Sequence, residues 1–118
     1  MDSIKLLKIL NSHESWLKTR GRQGVRANLS FQNLQSMSLE DRNLTGALII
    51  GSNLKAANLK NAVMKYAFIS HTDMRGAKLT NADFSHAALI KIKVFSDELE
   101  KAKLSGAHLC HLEAEDTN

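Results

Sequence analysis

Every fifth residue from Leu29 to Leu109 is large and apolar, and this period governs what the chain can fold into. The series runs Leu29, Leu34, Leu39, Leu44, Ile49, Leu54, Leu59, Met64, Ile69, Met74, Leu79, Phe84, Leu89, Val94, Leu99, Leu104 and Leu109. Seventeen apolar positions in succession are not chance where the overall apolar fraction is 43%. A helix repeats near 3.6 residues and a strand at 2, so neither element collects these side chains on one face. Self-similarity at a fixed short period instead signals repeats that bury their apolar residues by stacking on one another.

The positions around the series sharpen this. Two places earlier stand small residues: Ala27, Ala47, Ala57, Ala62, Ala67, Ala77, Ala82, Ala87, Ala102 and Ala107. Between them lie Asn28, Asn33, Asn43, Asn53, Asn58, Asp73 and Asp83. Blocks such as Ala27-Asn28-Leu29, Ala57-Asn58-Leu59 and Ala82-Asp83-Phe84 resemble the A(D/N)LXX consensus of the pentapeptide-repeat family. The resemblance is strong over 27–91 and returns at 102–111. It implies an all-β solenoid, a right-handed quadrilateral β-helix of about four coils with four pentapeptides to each. The series from Leu29 to Leu89 is then the core, each side chain contributing about 1.5–3 kcal/mol on burial. Sharp corners favour left-handed backbone, and Gly46, Gly51, Gly76, Gly106, Asn61 and Asn81 fall at the last position of their blocks.

A solenoid needs covered ends. Residues 1–26 supply a cap, since Ile4, Leu7, Leu10 and Leu17, with Leu6, Ile9 and Trp16 beside them, follow helical spacing. The stretch from His13-Glu14-Ser15-Trp16-Leu17 to Gly21 and Gly24 resembles a lead-in helix that precedes the repeats in some family members. Trp16, with Leu10 and Leu17, is expected to plug the first coil. The β-helix is assigned to 27–111. It is degenerate at 92–101, where Ile92 and Asp97 occupy the small inward position; either this coil is distorted or 97–103 turns helical. The tail, 112–118, is expected to be disordered.

Aromatic residues make up only 5% and proline is absent, which suits a backbone hydrogen-bonded along its whole length. The single cysteine, Cys110, excludes an intramolecular disulfide framework. No apolar run reaches membrane-spanning length, and the charged N-terminus makes a poor signal peptide. A cytoplasmic protein is the expectation. The net charge of +4 is uneven. Residues 1–26 hold six basic and two acidic side chains, 27–91 seven and four, and 92–118 three and six.

With four blocks per coil, residues twenty apart stack on one face. The blocks at 27–31, 47–51, 67–71, 87–91 and 107–111 share a face whose solvent-pointing positions include Phe31, Leu48, Ile50, Phe68, Ala88, Ile90 and Cys110. Val63 and Tyr66, on the preceding face, extend this strip. An apolar strip on a polar solenoid marks a contact site. Its occupant is a second copy, another protein, or the C-terminal tail folded back over it; a two-fold homodimer is the leading expectation.

Other chemistry is poorly represented. His108, Cys110 and His111, with His71 on the same face, match no standard zinc spacing. No phosphate loop, nucleophile elbow or His-Glu helix motif is present, so neither catalysis, a small-molecule substrate nor a cofactor is expected. The basic head (Lys5, Lys8, Lys18, Arg20, Arg22, Arg26) could touch nucleic acid, but it lacks interleaved aromatics and reads better as a solvated cap. Some members of the family resemble DNA and occupy the DNA site of gyrase. That mimicry needs a long acidic rod, whereas this repeat region is short and net positive.

Overall fold

A computed structural model describes residues 1–116. The helix α1 (Ser3–Lys18) leads into a β-solenoid, with overall dimensions of 44 × 30 × 22 Å. Asp2 caps α1, its carboxylate accepting from the Lys5 N–H at 2.7 Å. Three regular coils occupy 27–86, and a fourth is interrupted after Phe95.

Coils stack in register, each residue pairing with the one twenty positions on. The strands β1 (Leu48–Ile50), β2 (Phe68–Ser70), β3 (Ala88–Ile90) and β5 (His108–Cys110) form a parallel sheet on one face. The other faces carry parallel bridges such as Asn53↔Asp73, Asn58↔Lys78 and Val63↔Asp83. All thirteen period residues from Leu29 to Leu89 are buried inside, together with Val94. Leu99 and Leu104 are partly buried and Leu109 is 45% exposed, because no further coil stacks on them among the described residues.

The local chemistry of the repeat explains its geometry. In block after block the Asn or Asp side-chain oxygen accepts from the backbone N–H two residues later, as from Asn28 to Ser30, Asn53 to Lys55, Asn58 to Lys60 and Asp83 to Ser85. This bond holds the chain bent as it approaches the corner. The corner itself is left-handed at the last position of every block from Phe31 to Lys91, and again at Gly106 and His111, with φ between 51° and 77°. It is not reserved for glycine or asparagine: Phe31, Tyr66, His71, His86 and Lys91 adopt it too. The backbone ladder imposes the conformation on whichever residue stands there.

Several expectations need correction. On the face after the sheet the small inward position is polar at Ser52 and Thr72, which are buried, and apolar again at Ile92. Both hydroxyls are satisfied: Ser52 donates to the Leu29 carbonyl, and Thr72 to that of Ser70 at 2.9 Å. At 92–101, where the sequence predicts a distorted coil or a helical turn over 97–103, β4 (Lys93–Phe95) is followed by a helical turn that starts one residue earlier and is shorter, α2 (Ser96–Leu99). The Leu79 N–H, which would meet a carbonyl of the next coil, donates instead to the Glu98 carboxylate at 3.0 Å. Residues 113–115 of the tail form a strand, β6 (Glu113–Glu115), paired in parallel with β4, and do not cover the apolar strip. Of the remaining tail, Leu112 packs against the core and Asp116 accepts from the Ser96 hydroxyl at 3.1 Å, while the expected disorder at 117–118 lies outside the described residues. The plug on the first coil also differs. Leu6, Leu10 and His13 are buried, whereas Trp16 and Leu17 are only partly so, and Trp16 stacks on the His13 ring.

Candidate functional site

The sheet face is built from a backbone ladder whose inward residues, Leu29, Ile49, Ile69 and Leu89, are buried. Its outward positions are Asn28 and Ser30, Leu48 and Ile50, Phe68 and Ser70, Ala88 and Ile90, and His108 and Cys110. None of these ten carries a carboxylate, an ammonium or a guanidinium. Leu48, Ile50 and Ile90 are half-buried by their neighbours in the ladder, and Phe68 stands out at 36% exposure.

Rings line both edges of this face. On one edge Phe31, 78% exposed, lies along Gly51; a Cβ there would sit 2.9 Å from Cε1 of the ring. On the other, Tyr66 (62% exposed) stacks on His86, with centroids 5.1 Å apart and planes at 13°. His86 in turn lies against Gly106, where a Cβ would fall 2.5 Å from its Nδ1. Each glycine thus lets the ring of the preceding coil lie flat along the corner. Val63 is half-buried around the Tyr66 corner, bridged between Asn43 and Asp83, and belongs to a polar face. His86 was not among the sequence candidates. Its signal is a glycine twenty residues after a ring, as at 31/51 and 86/106.

The adjacent face has the opposite character. Its outward positions include Lys55, Asp73, Arg75, Lys93, Glu113 and Glu115. Arg75 grips Asp73, Nη2 to Oδ2 at 2.6 Å, and this hydrogen-bonded cation holds the Asp73 carboxyl below its ordinary range. On the face preceding the sheet, burial works to raise Asp83. Hydrogen bonds from Ser85 and the charges of Lys65 and Lys103 outweigh it and leave Asp83 lowered. At the corner between the sheet and the charged face lies an open depression of ≈ 500 Å³, lined by His71, Lys91, Lys93 and His111 with Asp73 and Glu113. Its mixed charges give no excess of either sign. Among the described residues no three His, Cys, Asp or Glu side chains are grouped to hold a metal ion.

The family model of the pentapeptide repeats matches eight copies here, over residues 25–61, 43–81 and 57–92. The chain belongs to the pentapeptide-repeat family. Solved structures of other pentapeptide-repeat proteins are similar. HetL from the cyanobacterium Nostoc sp. strain PCC 7120, described as involved in regulating heterocyst differentiation, is 26% identical, with a TM-score of 0.56 over 73% of this chain. Rfr23 from the cyanobacterium Cyanothece 51142 is 28% identical, with a TM-score of 0.51 over 76% of this chain. The chain spans 38% of the HetL structure and 62% of the Rfr23 structure. Comparison with curated protein sequences gives no significant match. No helix among the described residues is long and apolar enough to cross a membrane.

Proposed function

We propose that this pentapeptide-repeat chain is a non-enzymatic scaffold that makes protein–protein contacts through its sheet face, first of all with a second copy of itself. The observation that carries the reading is the uncharged outward surface of five consecutive rungs, with Phe68 at its centre and the Phe31 and Tyr66 rings on its edges. A rigid backbone keeps these side chains in fixed positions, so little conformational entropy is lost when they are covered. Rung spacing makes the face about 19 Å tall. A stable interface covers about 800 Å² per partner, so self-association through this face is weak and concentration-dependent. A reducing cytoplasmic setting suits the exposed, unpaired Cys110 on the same face.

Light scattering on a sizing column tests this by comparing the natural protein with Phe68→Asp across a range of loading concentrations. The natural protein is expected to move from monomer to dimer as concentration rises, and the variant to remain a folded monomer. Identical monomers at every concentration would remove self-association and leave the face to a heterologous protein.

A further inference from the structure

His13 is the only ionisable side chain among the described residues that is fully buried. It fastens α1 to the first coil at two points. The Ala27 N–H donates to its Nδ1 at 2.8 Å, and its Nε2 lies 3.0 Å from the Thr45 carbonyl oxygen. A backbone amide can only donate, so Nδ1 must be the acceptor. The ring is therefore neutral, with its proton on Nε2 donated to Thr45. A second proton, on Nδ1, would face the Ala27 N–H donor to donor in a site closed to water.

The charged neighbours do not remove this conflict. Glu14 favours the proton and Arg26 opposes it. Glu14 is in turn gripped by Arg42 of the first coil, Nη2 to Oε1 at 2.7 Å, and accepts from the Asn43 N–H. Burial is the largest influence and holds His13 below the ordinary imidazole value, against the pull of the Thr45 hydrogen bond and of Glu14. Beneath the helix, Leu6 and Leu10 share one core cluster with Leu29, Leu34, Leu39 and Leu44. Lifting α1 would bare that apolar floor and the first coil's backbone edge.

We propose that His13 is a pH-sensitive latch, whose second ring proton releases α1 and opens the N-terminal end of the solenoid. The direction follows from linkage. Above the ordinary value of 6.5 neither state holds the extra proton, and the latch is fully closed. Below it the released state takes up a proton that the docked state refuses. The docked-to-released ratio then falls by up to about tenfold per pH unit, until the docked ring titrates as well.

The single tryptophan reports on this directly, because Trp16 stacks on His13 with ring centroids 5.4 Å apart. The experiment follows Trp16 emission and the Ala27 amide protection factor on the full chain, from about pH 7.5 to about pH 5. His13→Asn is measured alongside it, since its carboxamide offers an acceptor near Nδ1 but cannot titrate. In the natural protein, emission is expected to shift red and Ala27 protection to fall about tenfold, while Phe68 and Ala88 amides keep theirs. In His13→Asn both signals should stay flat. Constant Ala27 protection in the natural protein overturns the latch, as does the same transition persisting in His13→Asn. If that variant does not fold, the natural protein's Ala27 exchange decides alone.

Discussion

The sheet face and the charged face beside it share one backbone ladder, a quarter-turn apart. Inward, both present the same stack of aliphatic residues: Leu29, Ile49, Ile69 and Leu89 on one, Leu34, Leu54, Met74 and Val94 on the other, all buried. Outward they diverge, to Leu48, Ile50, Phe68 and Ile90 against Lys55, Asp73, Arg75 and Lys93. Outward, the fold calls only on the Asn, Asp and Ser side chains that accept from backbone N–H groups, as Asn28, Ser30, Asn53 and Asp73 do, and the remaining outward positions are free to differ. Six charged residues on the charged face are what a solvated surface looks like. A patch of the same size with none is the observation on which the proposed contact rests.

The largest effects should ignore the difference between faces. Ile69→Ala under the sheet face and Leu54→Ala under the charged face each delete a fully buried aliphatic side chain. Both are expected to cost about 2–5 kcal/mol in urea unfolding, with no systematic difference between them. A much smaller loss at Ile69 would mean that the two ladders are not equivalent, and the comparison would fail. Outward changes should separate the faces instead. Phe68→Asp is expected to weaken self-association by at least about tenfold, as for an anchor ring at the centre of an interface. Lys93→Asp should leave association nearly unchanged.

A smaller effect is expected at the edge of the sheet face. Gly51→Ala places a methyl 2.9 Å from the Phe31 ring and a side chain at φ +67°. It should cost about 1 kcal/mol or somewhat more, and weaken association by displacing Phe31. Smallest of all is Asp73→Asn, which breaks the Arg75 pair on the charged face. Its small loss of stability should shrink further in salt. The pH dependence has a definite sign. A carboxylate held below its ordinary value contributes stability that is present above that value, 3.8 for Asp73, and is lost as pH falls through the folded value. Acid titration down to about pH 3 should therefore show a step in the natural protein that is reduced in Asp73→Asn. The His13 latch acts at higher pH, so the two are separable.

The coil and its faces were legible in the sequence because one constraint, the five-residue period, repeats many times and outweighs any local preference. What escaped detection depends on single contacts. The Glu98 carboxylate replaces a backbone acceptor where α2 turns the chain aside, and no periodic signal marks such a substitution. Helical spacing and the lead-in resemblance point to Trp16 as the plug. The buried contact instead belongs to His13, whose two ring nitrogens reach Ala27 and Thr45 across the helix–coil junction. The tail at 113–115 lies past the repeat and carries no further large period residue, yet Glu113 and Glu115 are the outward positions of a strand and Ala114 alternates with them. Phe31 and Tyr66 were found as apolar residues, but the glycine or histidine that seats each ring lies twenty residues on.

Amide chemical shifts recorded on dilution test the central claim most directly, because they report every rung at once. If the sheet face is the contact surface, concentration-dependent shifts will cluster at Leu48–Ile50, Phe68–Ser70 and Ala88–Ile90, with Phe31 and Tyr66 on the edges. Asn53, Asp73 and Lys93 will stay fixed. Shifts that centre on the charged face, or on the ends of the solenoid, while Phe68 stays still would contradict it.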